Sequence, residues 1–140
     1  MKHLQLTHVL LLCLFAVFTS CEKQNENETL HKEVMEIHDD AMAKMGTLQE
    51  LSTQLENIIT EKIDSTDTPS VEKARNLILS LQKADAEMMD WMKAYKEPAK
   101  ETPAEEVKTY LLSEKEKITE VQTLTNNSIQ AAEEFISQYP

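Results

Sequence analysis

Residues 33–46 read EVMEIHDDAMAKMG, and a second stretch, residues 84–95, reads ADAEMMDWMKAY. Apart from Met1, every methionine of the chain falls in these two stretches: Met35, Met42, Met45, Met88, Met89 and Met92. The single tryptophan, Trp91, lies in the second. Around the first stretch, Leu30, Val34, Ile37, Ala41, Leu48, Leu51, Leu55 and Ile58 keep the three-four spacing of a helix that buries one face. Around the second, Val71, Ala74, Ile78, Leu81, Met88, Met92 and Tyr95 do the same. Two such helices joined by a short polar turn fold back on each other. Folding about residues 66 and 67 sets Met45 level with Met88, Met42 with Trp91 and His38 with Tyr95.

Working outward, the punctuation is that of an all-α protein. The chain has one glycine, Gly46, and four prolines, of which Pro69, Pro98 and Pro103 fall in turns and Pro140 at the end. The first helix is expected from about Asn27 to Ile63, roughly 55 Å long at the helical rise. Gly46 inside it costs about 1 kcal/mol relative to alanine, and close packing against Trp91 is the expected reason for it. Asp64 to Thr68 is a turn, with Thr68 as expected cap of the second helix and Pro69 just inside it. Thr102-Pro103-Ala104-Glu105 reads as a capping box that opens the third helix. That helix runs to about Gln138 on Val107, Leu111, Ile118, Val121, Leu124, Ala132, Phe135 and Tyr139, with Glu114, Thr125 and Ser128 interrupting its apolar stripe. The expected fold is an elongated, antiparallel three-helix bundle, up-down-up, over residues 29–140. The alternative is a coiled-coil hairpin that completes its core by dimerising.

The first 20 residues read as an export signal. Lys2 precedes an apolar run, Val9 to Phe18, that is too short to span a bilayer. The ending Phe18-Thr19-Ser20-Cys21 resembles a bacterial lipobox, which implies lipidation (palmitate among the acyl chains) of Cys21 and cleavage before it. Cys13 leaves with the signal, so a lipidated Cys21 leaves no free thiol in an oxidising compartment. Removing 20 of 140 residues leaves 120, and losing Lys2 takes the formal net charge from −11 to −12. Such a surface argues against nucleic acid and against direct docking on anionic lipid. Residues 21–28, the cysteine followed by EKQNENE, read as a flexible acidic tether. By resemblance to Gram-negative sorting rules, Glu22 directs the protein to the outer membrane, facing the periplasm or the cell surface.

The chemistry-bearing residues gather at one level of the expected bundle. His38, Met42 and Met45 share one helix face at three-four spacing, as do Asp85, Met89 and Met92 on the next. His38, Met42, Met45, Met88 and Met92 are therefore a candidate ligand cluster, with Met35, Met89, Trp91 and Tyr95 nearby. Thioethers with one imidazole suit Cu(I) or Ag(I). The plainer reading is ordinary core, because methionine fills irregular gaps and packs well on aromatic rings. Catalysis has little support: residues 21–140 hold two histidines and no Gly-rich phosphate loop. The sequence reads as a non-catalytic binding or structural module, with soft-metal binding as its alternative.

Glu33-Val34-Met35-Glu36-Ile37-His38-Asp39, Met42, Lys44-Met45-Gly46, Ala84-Asp85 and Met88-Met89-Asp90-Trp91-Met92 also resemble a family of short Gram-negative lipoproteins usually labelled "viral A-type inclusion protein". The resemblance covers the signal, the lipid cysteine and most of the first two helices. It implies a cell-envelope lipoprotein and carries no catalytic residue.

Overall fold

A computed structural model of the chain describes residues 25–140. The expected signal, Cys21 and the start of the expected tether lie outside them. Four helices make up the fold: α1 (25–42), α2 (Met45–Glu61), α3 (Thr68–Ala94) and α4 (Ala104–Ile136). No strand occurs among the described residues.

The expected first helix is present in two pieces. At Ala43 and Lys44 the path tightens, and the Lys44 N–H donates to the Ala41 carbonyl at 3.0 Å, a three-residue step in place of four. Gly46 follows directly, and its expected role is corrected here. Nothing lies within 4 Å of where its Cβ would sit, so it is not a packing glycine against Trp91. It is an exposed residue of low helix preference beside the break.

α1 begins inside the stretch expected to be tether, because its first turn is tied down. Glu26 accepts from Lys108 at 2.6 Å, and Asn27 Nδ2 donates to the Ala104 carbonyl at 2.8 Å. Lys108 is held above the usual lysine range, chiefly by its hydrogen bond to Glu26. The cap of α3 is Asp67, not Thr68: its carboxylate accepts from the Ser70 N–H at 3.3 Å. α4 starts without the expected Thr102 cap. Pro103 holds the cap position, no side chain caps the helix, and Glu105 and Glu106 in the first turn complement the helix dipole.

The directions of the helices can be read from their contacts. Between α1 and α4, Glu26 meets Lys108, Glu33 meets Lys115 and Asp40 meets Gln122, each pair separated by 82 in sequence. Lys44 meets Asn126 at the same separation. A constant offset means the two helices run parallel. Against α3 and the segment just after it the pairs converge instead: His31 meets Glu97 at 3.2 Å, and the rings of His38 and Trp91 lie 5.4 Å apart. α3 therefore runs opposite to α1. α2, α3 and α4 each pack on the other two.

Two apolar clusters form the core. One joins Leu48, Leu51, Leu55 and Ile58 of α2 to Ala74, Ile78 and Leu81 of α3 and to Ala132 and Phe135 of α4. The other joins Val34 and Ala41 of α1 to Met88 and Trp91 of α3 and to Ile118 and Val121 of α4. Met45 packs against both. The polar interruptions of α4 face inward. Ser128 is buried and meets Ser80 Oγ at 2.8 Å, while Thr125 is fully buried with an Oγ1 that makes no hydrogen bond.

Two substitutions test this account by denaturant unfolding. Gly46→Ala should stabilise the fold by up to about 1 kcal/mol, since helix preference favours alanine and the site is open. Thr125→Val should stabilise it by about 1 kcal/mol, because it removes a buried hydroxyl that lacks a partner. A loss of stability in the first would mean that the glycine is required by its surroundings; in the second, that Thr125 has a bond not seen here.

Candidate functional site

The site is built where α1, α3 and the first half of α4 meet. Helical spacing sets its faces. His38 touches Trp91 of α3, and His31, seven residues before it on α1, touches Glu97 just past the end of α3, so the face they share is turned to that side. Met35, three residues before His38, and Met42, four after it, flank that face. On α3, Asp85 lines a groove against α2, and Met92 stands seven residues further along the same face.

The five candidate residues do not share one environment. Met88 is 0% exposed and belongs to the core with Val34, Ala41 and Trp91. Met42 and Met45 are half-buried and pack against that cluster. His38 is half-buried, its ring tilted over the indole of Trp91 at 5.4 Å. Met92, with 40% exposure, stands at the surface, and Met89 beside it has 42%. Met35 is half-buried. Geometry thus brings His38, Met42, Met45, Met88 and Trp91 to one place, and leaves Met92 and Met89 on the rim.

His38 and Asp39 leave the helix axis about 100° apart. Their side chains reach each other all the same, with Nδ1 2.9 Å from Asp39 Oδ1. An ionised carboxylate only accepts, so Nδ1–H donates. The ring's Nε2 makes no hydrogen bond among the described residues.

Beyond Trp91 the rings continue. Trp91 and Tyr95 lie 5.0 Å apart, and Tyr95 and Tyr110 6.0 Å apart. Tyr110 OH accepts from the Lys96 N–H at 2.8 Å where α3 ends. Trp91 Nε1 and Tyr95 OH are both buried without a partner. On the α4 side, Glu114 is 4% exposed and accepts from Lys117 at 2.8 Å. That pairing holds Lys117 above the usual lysine range. Glu114 and Trp91 line an open groove of about 440 Å³ between α3 and α4, with Lys83, Glu87, Asp90 and Lys117 at its edge. Periodicity found Glu114 only as a break in a stripe. A charged residue at an inward position was the signal for this buried carboxylate.

No group of three or more His, Cys, Asp and Glu side chains is disposed to hold a metal ion among the described residues. No described helix is long and apolar enough to cross a membrane. Comparison with protein-family models, with curated proteins and with solved structures finds no match to this chain.

Burial pushes the Tyr95 phenol from 10.0 up to about 12, helped by Glu97, Tyr110 and Glu114 nearby. A raised folded-state pKa favours the neutral phenol in the fold. Its contribution is complete below pH 10 and is lost as pH rises through about 12. Tyr95→Phe should therefore blunt the alkaline loss of stability between pH 10 and 12. At pH 7 it should cost less than about 1 kcal/mol, since the hydroxyl has no partner to lose. Denaturant unfolding at pH 7 and pH 11 checks both, and a cost above about 2 kcal/mol at pH 7 would contradict them.

Proposed function

We propose that this is a lipid-anchored cell-envelope protein, held through Cys21 to the outer membrane. Its up-down-up three-helix bundle serves as a non-catalytic binding or interaction module. The observation that carries this reading is where α1 begins. Four residues after Cys21 the chain is already helical, and Glu26 and Asn27 are bonded to the start of α4. Three intervening residues reach at most about 11 Å. An acyl chain on Cys21 then holds one end of the rod against the lipid, the end that carries His31, Glu97 and the loop before α4. The turn after α2 and the C-terminus point away.

Other features agree. The acidic surface repels anionic lipid, so the acyl chain supplies the attachment. Leu79, Met89, Met92 and Leu112 are large apolar side chains left exposed on the bundle. The likeness of the two methionine segments to envelope lipoproteins points the same way.

Replacing Cys21 by alanine tests the anchor. Cys21→Ala should leave the membrane fraction, or accumulate with its signal uncleaved. A variant that still partitions and migrates like the parent overturns the proposal.

A further inference from the structure

The open groove between α3 and α4 contains a carboxylate that the fold leaves half satisfied. The Glu114 side chain is only 5% exposed, and it lines this groove. A buried carboxylate is costly unless its oxygens are bonded. Oε1 accepts from Lys117 at 2.8 Å. Oε2 has no hydrogen bond among the described residues. The sealed polar atoms without partners are Trp91 Nε1, Tyr95 OH and Thr125 Oγ1. Glu114 Oε2 is not one of them, so it is open, and the groove is where Glu114 reaches the surface. Ser80 meets Ser128 across the two helices, and in that antiparallel register Ala94 stands level with Glu114. A short side chain there leaves room over the carboxylate.

The rest of the groove repeats this chemistry. Its carboxylates, Glu87, Asp90, Glu114 and Glu120, outnumber its two ammonium groups, Lys83 and Lys117. They are not gathered to hold a metal ion. They are strung along the helices: Glu114 and Glu120 are six residues apart, about 9 Å along α4. Trp91, Val121 and Leu124 add apolar wall. Separated anions on an apolar wall fit an extended organic cation better than a compact ion.

We infer that the α3–α4 groove binds a linear aliphatic diamine, with one ammonium on Glu114, the other on Glu120, and the methylene chain along Trp91, Val121 and Leu124. The ammonium of Lys117 already occupies one oxygen of Glu114, which shows the kind of donor this carboxylate receives. The Lys117 side chain is 57% exposed and can turn out to solvent. It is therefore a resident competitor for Glu114. The inference gives the binding module proposed above a ligand and rests on that part of the reading; anchoring through Cys21 plays no part in it.

Cadaverine is the probe, titrated into the full chain in detergent at low salt. Trp91 is the only tryptophan and lines the groove, so its emission reports on the site. The thermal midpoint gives a second readout, since a ligand specific for the folded state raises it. The parent should show a saturable change in both, and n-pentylamine, with one ammonium, should bind more weakly. Glu114→Gln should weaken binding about tenfold or more. Glu120→Gln, at the exposed rim, should weaken it about threefold and leave the fold intact. Lys117→Met should tighten it about threefold by removing the competitor. Asp85→Asn makes the same change of charge in the groove between α3 and α2, and should bind like the parent. The inference is overturned if cadaverine moves neither signal in the parent, if Glu120→Gln binds as the parent does, if Asp85→Asn loses as much as Glu120→Gln, or if Lys117→Met binds more weakly. These outcomes leave the fractionation of Cys21→Ala unaffected, so a failed ligand and a failed anchor are told apart.

Discussion

The fold depends on the register between α1 and α4. Neither helix follows the other in the chain, and α3 runs between them in the opposite direction. Their alignment is read out every seven residues, by Glu26 with Lys108, Glu33 with Lys115 and Asp40 with Gln122. Exposed pairs of this kind contribute little to stability one by one. Their effect is on specificity. A slip of one turn would set Glu26, Glu33 and Asp40 against the wrong side chains and move Val34 and Ala41 out of line with Ile118 and Val121. Asp40 takes part twice, accepting from Lys44 and from Gln122, and these bonds hold its carboxyl below the usual aspartate range. It sits immediately before the break between α1 and α2. The alignment is thus pinned where the helical path is weakest.

That alignment decides what meets Trp91. With α1 fixed on α4, the level of His38 is fixed on α3, and the small residue Ala41 faces the indole level from α1. A large ring surrounded by Val34, Ala41, Met88, Ile118 and Val121 needs small and flexible neighbours, and methionine is suited to such gaps. The same crowding leaves Trp91 Nε1 and Tyr95 OH without partners. Each such group costs on the order of 1–3 kcal/mol, so this end of the bundle is less well satisfied than the other.

The helical pattern and its turns were legible because apolar spacing and proline placement depend on local chain chemistry alone. Val34, Ala41, Leu48, Leu55, Ile118 and Phe135 are all buried as their spacing predicts. The level of the two methionine segments was legible from one count across one turn: Met42, Met45 and Met88 do pack together. Depth was not. Met88 and Met92 are four apart and read alike on a helix face, yet one is sealed in the core and the other is exposed. Gly46 was misread for a related reason: a glycine signals a backbone need or a close neighbour, and sequence does not say which. The Asp67 cap and the His38–Asp39 bond turn on single rotamers, which spacing does not encode.

The two halves of the bundle, the one that holds α1 (here proximal) and the one that holds α2 (here distal), divide the work between them. In the distal half, Leu48, Leu51, Leu55, Ile58, Ile78, Leu81 and Phe135 make an aliphatic core with one aromatic ring, buried from three helices. Burying side chains of this size contributes roughly 1.5–3 kcal/mol apiece before conformational entropy is counted. The proximal half spends side chains differently. It holds a buried carboxylate, two unpartnered aromatic polar groups, a half-buried histidine and thioethers at the surface. None of these is what a sequence chosen only for stability would place there. Because α3 and α4 run through both halves, the distal core holds their alignment, and the proximal half can carry locally unfavourable groups without losing the fold. Departures from good packing are therefore informative about function in the proximal half.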